Sequence, residues 1–333
     1  MSEADERILS DIAPYLPASF FPLLGDLEQS EALGINSSNF RLSTSQGVFL
    51  LKRWSRSAKT SDLEKTLALM SWLVSRRLPV PAPTKFMGGE VLLRLDSSTW
   101  SLFPFIEGDY FSGAGGELEA VAEMTGRLME TLSQLPENYA PAAGPKHLTV
   151  ADGELLRRVE DASDRWDALL GSAHASLLSE CWPALMKEWN RLVDAGLDAG
   201  VVQASHFDLH PHNLLVSGSL VTAVLDFESC KLMPAGYALG FAALKQCRQT
   251  VALSQLPAEA PLVGARYVVR LSDCCPSAVP VVMRLGDFAV SEAIRRICLI
   301  LRLNIESGDK TWNQVLPVQL GHIGEARALF GYS

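Results

Sequence analysis

Residues 205–229 read SHFDLHPHNLLVSGSLVTAVLDFES, and the spacing of their polar groups sets the frame for the whole chain. Asp208 stands two residues after His206, Asn213 five residues after Asp208, and Asp226 thirteen residues after Asn213 at the end of an apolar run. Between them NLLV and LVTAV are β-rich and Ser217-Gly218-Ser219 is a turn signal, which predicts a hairpin. Outside this island the second half is helical. Leu118 to Leu132, Glu154 to Leu170, Leu177 to Leu192 and Phe288 to Ile305 carry apolar residues at helical spacing, and another run begins near Tyr237. In the last of the four, Ile294, Ile297, Cys298, Leu301 and Ile305 share a stripe that leaves Arg295, Arg296 and Arg302 off it.

The first hundred residues have a different texture. NFRLSTS and VFLLKRW flank Gln46-Gly47 and predict an antiparallel hairpin. Thr60 or Ser61 is placed to cap a helix carrying Leu63, Leu67, Met70 and Val74, which Pro79 and Pro81 close. EVLLRLD and TWSLFPFI predict two more strands. A short amphipathic helix with Ile8, Ile12 and Tyr15 on one face precedes them, broken by Pro17 and Pro22.

Composition narrows the function classes. The chain has 333 residues, 48% hydrophobic and 20% charged, the make-up of a folded globular protein. Its 29 Lys and Arg against 38 Asp and Glu give a formal charge of −9, the wrong sign for gripping a phosphate backbone by counterion release, so no nucleic-acid partner is expected. The start, MSEADERIL, is acidic where an export signal would be basic, and no long charge-free apolar stretch occurs, so neither export nor a membrane span is expected. Cys181, Cys230, Cys247, Cys274, Cys275 and Cys298 make no C-x-x-C pair and read as reduced thiols of a cytoplasmic protein.

Phosphoryl transfer needs a carboxylate near the attacking hydroxyl and oxygen ligands that hold Mg²⁺ on the nucleotide phosphates. Asp208 meets the first need, and Asn213 with Asp226 the second. The pattern H-x-D-x-x-x-x-N, followed by a hydrophobic strand ending in Asp-Phe-Glu, resembles the aminoglycoside phosphotransferase, choline kinase and homoserine kinase branch of the protein-kinase-like superfamily. The resemblance implies an α+β, two-lobed fold, with a small five-stranded antiparallel sheet lobe and a larger, mainly helical lobe. It places an N-terminal helical extension at 1–24, a nucleotide-binding lobe at 25–106, and a catalytic and acceptor-binding lobe at 107–333. It further implies ATP with Mg²⁺ as the phosphoryl source, Asp208 as catalytic base, Asn213 and Asp226 as metal ligands, and His206 as a brace for the loop.

In the first lobe the resemblance implies that Lys52 contacts the α- and β-phosphates and pairs with Glu64 on the following helix, while strand alternation sends Arg53 to the opposite face. GINSSNFRL would cover the phosphates through Gly34, Ser37 and Ser38, unless it is a plain Ser/Asn turn. Backbone groups from Phe103 to Ile106, with Phe105 and Ile106 at the end, would meet the adenine edge. Many relatives carry an aspartate shortly after the metal-binding one. Here that region reads GYALGFA, so the catalytic loop is either held otherwise or less rigid. Glu228 has two candidate roles, a second metal ligand or a cap on the strand end.

The implied function is phosphorylation of a hydroxyl on a small molecule: an amino alcohol, a hydroxy amino acid or an aminoglycoside. The alternatives are a hexosamine-type sugar kinase and a nucleotide-binding pseudokinase or regulatory protein. A protein acceptor is disfavoured, because no activation-loop-length segment separates Asp226 from the next helical run. Residues 108–205 hold 16 acids and 7 bases, the excess of the whole chain, which predicts a negative acceptor wall and a cationic acceptor.

Overall fold

The computed structural model describes residues 3–23, 28–30 and 38–331. Strands β1 (Glu28–Ser30), β2 (Ser38–Thr44), β3 (Gly47–Arg53), β4 (Leu93–Leu95) and β5 (Ser98–Pro104) form one antiparallel sheet in the order β1-β2-β3-β5-β4. Alternation sorts their side chains to two faces. Phe40, Leu42, Leu51, Trp100 and Leu102 pack on the outer face with Ile12, Leu16 and Phe20 from the N-terminal segment. On the inner face Trp54 and Phe103 join the core that continues through helix α2 (Thr60–Ser75) into the larger lobe.

Three local expectations shift. Helix α1 (Glu3–Ile12) tightens into a 3-10 turn at Ala13–Tyr15, which turns Leu16 inward and leaves Tyr15 exposed, although the helical stripe had paired Tyr15 with Ile12. Lys59 occupies the cap position of α2, so neither Thr60 nor Ser61 caps it. EVLLRLD is a strand only over Leu93–Leu95, because the Glu90 carbonyl accepts from Phe86 N–H in a tight turn.

The larger lobe holds two small sheets: β6 (Asp109–Tyr110) with β8 (Leu214–Ser217) and β9 (Leu220–Val224), and β7 (Val202–His206) with β10 (Cys230–Pro234). Around them lie α3 (Glu117–Leu132), α4 (Val150–Asp161), α5 (Trp166–Leu170), α6 (Ser172–Ala195), α7 (Ala235–Ser254), α8 (Ala260–Cys274), α9 (Val279–Val282), α10 (Leu285–Ser307) and α11 (Leu316–Phe330). The helix predicted over Glu154 to Leu170 is two: a 3-10 turn at Ser163–Arg165 breaks it, and Trp166 Nε1 donates to Val159 O at 2.7 Å.

The segment GYALGFA lies in α7, whose first ten residues are all buried. A Cβ on Gly240 would fall 2.6 Å from Phe288 Cβ, and one on Gly236 2.8 Å from the Phe288 ring, so only glycine lets α10 lie this close. The two lobes meet where Val224 N–H donates to Pro79 O at 2.8 Å, behind the hairpin of β8 and β9. Among the described residues no helix is long and apolar enough to cross a membrane, and all six cysteines are free.

Candidate active site

The turn between β7 and β8 is organised by a buried histidine. His206 Nε2–H donates to Leu225 O at 2.8 Å, and its Nδ1 accepts the Asp208 N–H at 3.3 Å. Burial lowers the pKa of this ring, and the neutral tautomer is the one that makes both bonds. Asn213 completes the frame. Its Nδ2 donates to Asp208 O at 2.8 Å, its own carbonyl accepts from Leu225 N–H at 2.9 Å, and its N–H donates to His210 O at 2.9 Å. Leu225 is thereby tied to both ends of the loop, and Asp226, next in the chain, is carried to it.

Asp226 has φ +60°, a left-handed conformation that costs a non-glycine residue free energy and persists only where the surroundings impose it. Ser229 Oγ donates to its Oδ2 at 3.0 Å, leaving Oδ1 without a hydrogen-bond partner among the described residues. With Nδ2 of Asn213 engaged, the Oδ1 of that amide is likewise left for another ligand. Carboxylate and amide oxygens are the hard donors that Mg²⁺ prefers. Among the described residues no group of three or more His, Cys, Asp and Glu could hold a metal unaided, which suits a cation whose other ligands are phosphate oxygens and water.

The carboxylate of Asp208 is one third exposed, with His210 Nε2 at 3.5 Å from Oδ2 and Arg296 Nη2 at 3.9 Å from Oδ1. Across the cleft, Lys52 Nζ reaches from the inner face of β3 to Glu228 Oε1 at 2.5 Å, over the Trp54 ring at 4.0 Å. Glu228 therefore binds the lysine of the other lobe.

Glu64 does not meet Lys52. It lies on the exposed side of α2, where Arg94 Nη2 is 3.2 Å away, because the helix turns Leu63 and Leu67 into the core and rotates Glu64 off that face. Ser38 is also displaced from the expected place. It stands opposite Arg53 in the β2–β3 register, and its Oγ accepts from Arg53 Nη2 at 3.2 Å on the outer face, where Arg53 also lies over Phe40 and Trp100. Asn39, opposite Lys52, takes the inner face with a buried Oδ1 that has no partner among the described residues. Gly34 and Ser37 lie outside the described residues. At the hinge Phe105 N–H is engaged by Val48 O at 2.9 Å, so Phe105 cannot offer that donor, whereas Ile106 N–H has no backbone partner among the described residues.

Residues 31–261 match the phosphotransferase enzyme family. The chain belongs to it. It is similar to the homoserine kinase of Beijerinckia indica subsp. indica, 30% identical over 196 residues that make up 59% of this chain and 57% of the relative. It is similar also to the homoserine kinase of Parvibaculum lavamentivorans, 28% identical over 233 residues, 67% of this chain and 64% of the relative. The chain thus spans a little under two thirds of the length of these relatives. The fold is shared with a microcompartment-associated aminopropanol kinase, at TM-score 0.66 and 15% identity over 99% of both chains. It is shared with a spectinomycin phosphotransferase solved with ADP and spectinomycin, at TM-score 0.65 and 11% identity over 98% of this chain and 97% of that one.

In this member of the phosphotransferase enzyme family the loop that carries Asp208 is held from below by an amide. Gln246 on α7 is fully buried; its Nε2 lies 3.2 Å from Leu209 O and 3.2 Å from Thr125 Oγ1, and its Oε1 accepts from Tyr267 OH at 2.8 Å. It sits one helical turn and more beyond GYALGFA, and nothing in the local spacing marks it.

Four of the 16 acids of residues 108–205 are tied to arginines of the C-terminal helices. Glu119 pairs with Arg266 and Glu123 with Arg270 across α3 and α8, Asp152 with Arg302 at 2.9 Å, and Glu188 with Arg191 and Arg327. The groups that do surround Asp208 are mostly cationic. Glu292 of α10, fully buried, accepts from Arg295, from Arg296 Nε at 2.5 Å, and from His147 Nε2 at 2.7 Å. Burial alone would raise this carboxyl, but the hydrogen bonds from Arg295 and His147 and the charge of Arg296 outweigh it and hold the group well below the usual carboxylate range. Burial lowers the pKa of His147, whose Nδ1 has no partner among the described residues and whose ring stacks 3.7 Å from Tyr237. A cavity of about 820 Å³ lined by Met129, Leu132, Val202 and Leu239 lies apart from these residues and contains none of them.

Proposed function

We propose that the protein transfers the γ-phosphoryl group of ATP to a hydroxyl of a small molecule, with Mg²⁺ as the divalent cation. The observation that supports this is that His206 and Asn213 each tie the Asp208 turn to Leu225, so that the side-chain oxygens of Asp208, Asn213 and Asp226 are carried on one bonded frame. Family membership supports it, as do relatives described as homoserine kinases and a neighbour solved with AMP-PNP and Ca²⁺.

Asp208 accepts a hydrogen bond from the acceptor hydroxyl and orients its oxygen in line with the γ-phosphorus. The oxygen–phosphorus bond forms as the bond to the β,γ-bridging oxygen breaks. The electron pair leaves with ADP, and the hydroxyl proton passes to Asp208 and then to water. Lys52, oriented by Glu228 in place of Glu64, meets phosphate oxygens. Ile106 N–H meets the adenine edge, and Asn39 is the inner-face residue of β2 nearest in register to Lys52. Asn213 Oδ1 and Asp226 Oδ1 would hold the cation, which when bound neutralises charge on the phosphates. Most of the rate enhancement comes from positioning and electrostatics.

Incubation with ATP, Mg²⁺ and pooled hydroxyl compounds is expected to give acceptor-dependent ADP release that ceases with a chelator. ADP release without an acceptor product, or nucleotide binding with no turnover on any acceptor, would favour the pseudokinase.

A further inference from the structure

Beyond the catalytic loop, the wall facing Asp208 is built by α7, α10 and α11. Arg296 has its Nε fixed on Glu292 and its guanidinium 4.1 Å over the buried Phe241 ring. Its terminal nitrogens have no hydrogen-bond acceptor among the described residues; Asp208 Oδ1 lies 3.9 Å from Nη2. One turn along α7 from Phe241, Lys245 points its Nζ to the same ring at 5.6 Å. Its single polar neighbour is His322 Nε2 of α11 at 3.3 Å, and no carboxylate lies within ion-pair distance of it among the described residues.

The charges from each packed element leave this balance unmet. On α10, Glu292 is shared by Arg295, Arg296 and His147; on α11, Glu325 pairs with Arg248 of α7 at 2.8 Å. His210 and His212 of the loop bring no negative charge. Among the described residues Arg296 thus has a shared Glu292 and the more distant Asp208, and Lys245 has no carboxylate partner, an arrangement that costs folding free energy and is kept where a ligand offsets it. Burial with the neighbouring charges of Arg296 and Arg248 lowers Lys245 to about 8, and burial with the same cations lowers His322 to about 2.

We propose that Arg296 and Lys245, mounted on Phe241, form a subsite for a carboxylate that the acceptor carries a few bonds from its reacting hydroxyl. The acceptor is then a short hydroxy acid, with or without an amino group. A planar guanidinium fork with free ends matches a carboxylate in two parallel hydrogen bonds, and the adjacent ammonium adds a third. The short gap between Arg296 and Asp208 keeps hydroxyl and carboxylate close together. A quaternary or simple primary amine here would face two like charges. This assignment rests on the role proposed for Asp208.

The test compares acids with their uncharged counterparts: 4-hydroxybutyrate against 1,4-butanediol, and homoserine against its amide and against aminopropanol. Acids are expected to give kcat/KM at least ~10²-fold higher, the order of a lost charge-assisted bidentate pair. Arg296→Lys and Lys245→Met are expected to raise KM for the acid by about ten- to a hundredfold while KM for ATP holds. If those variants raise KM for ATP and leave the acceptor's unchanged, the cations serve the phosphates and the subsite is overturned. Turnover of neutral or cationic acceptors alone overturns it too, while the proposed transfer stands. If nothing is turned over, calorimetry decides: binding of 4-hydroxybutyrate to Asp208→Asn protein, lost on adding Lys245→Met, upholds the subsite and overturns the transfer. Failure to bind overturns the subsite.

Discussion

Replacing Gln246 with leucine tests whether an amide on α7 holds the catalytic loop. The change strips Leu209 O and Thr125 Oγ1 of their side-chain donor and the fully buried Tyr267 hydroxyl of its acceptor. A buried polar group left unpaired costs about 1–3 kcal/mol, so three such groups, partly relaxed and partly offset by the apolar side chain, cost about 3–5 kcal/mol. Urea unfolding followed by intrinsic tryptophan fluorescence reads this directly. Tyr267→Phe removes one orphan in advance, so the double variant should be about 1–2 kcal/mol more stable than the sum of the single effects. Freed at Leu209, the loop that carries Asp208 should lose about ten- to a hundredfold in kcat, the scale of an ångström of misplacement. A Gln246→Leu protein within about 0.5 kcal/mol of the parent, or strict additivity with Tyr267→Phe, would refute the anchor.

Asp208→Asn should lower kcat by about 10²–10⁴ with nucleotide affinity nearly intact, measured by ADP release alongside calorimetry; equal loss of both points to a structural role. Asp226→Ala should abolish the part of the nucleotide-induced melting shift that depends on the divalent cation, a shift worth about 2.7 kcal/mol at a hundred times Kd. Burial lowers His147, His206 and His322 in the folded chain, so the unfolded chain binds protons first as pH falls. Stability should therefore drop below pH ~6.5, by at most about 1.4 kcal/mol per pH unit for each histidine, with Glu292 adding a further loss below the ordinary carboxylate range. Flat stability from pH 7 to 5 in urea titrations contradicts this. Lys245→Met, by removing an unpaired ammonium, should stabilise the free protein at pH 7 by on the order of 1 kcal/mol, read as a rise in Tm.

What the sequence disclosed depended on distance along the chain. His206, Asp208, Asn213 and Asp226 lie within one short stretch, so their spacing carries the geometry, and the hairpin between them is encoded by its own turn. Lys52 was legible from the family resemblance, with strand alternation turning its neighbour Arg53 to the other face. Its partner was not: Glu64 has the right separation for the next helix, but the phase of α2, set by Leu63 and Leu67, faces it to solvent, and Glu228 arrives from the other lobe. Gln246 binds groups 37, 121 and 21 residues away, beyond any local pattern. The acidic excess of residues 108–205 was real, but net charge says nothing about pairing, and arginines of α8, α10 and α11 absorb much of it. Helix α11 carries no clear polar and apolar faces in LPVQLGHIGEARALF, which is why periodicity passes over it.

The family match ends at residue 261, ahead of α10 and α11. Asp208, Asn213 and Asp226 fall inside it, whereas Arg296 and His322 fall outside, and the two regions touch where Gly236 and Gly240 admit Phe288. That contact works as a coupling between an inherited engine and an interchangeable tool-holder. So long as the glycine seam is preserved, α10 and α11 can change the part of the acceptor wall they carry, while Lys245 and Phe241 stay with the loop on α7. Variation in what such proteins act upon should then accumulate downstream of the seam, and grafting α10 and α11 between relatives is a more economical route to new acceptors than mutating the loop.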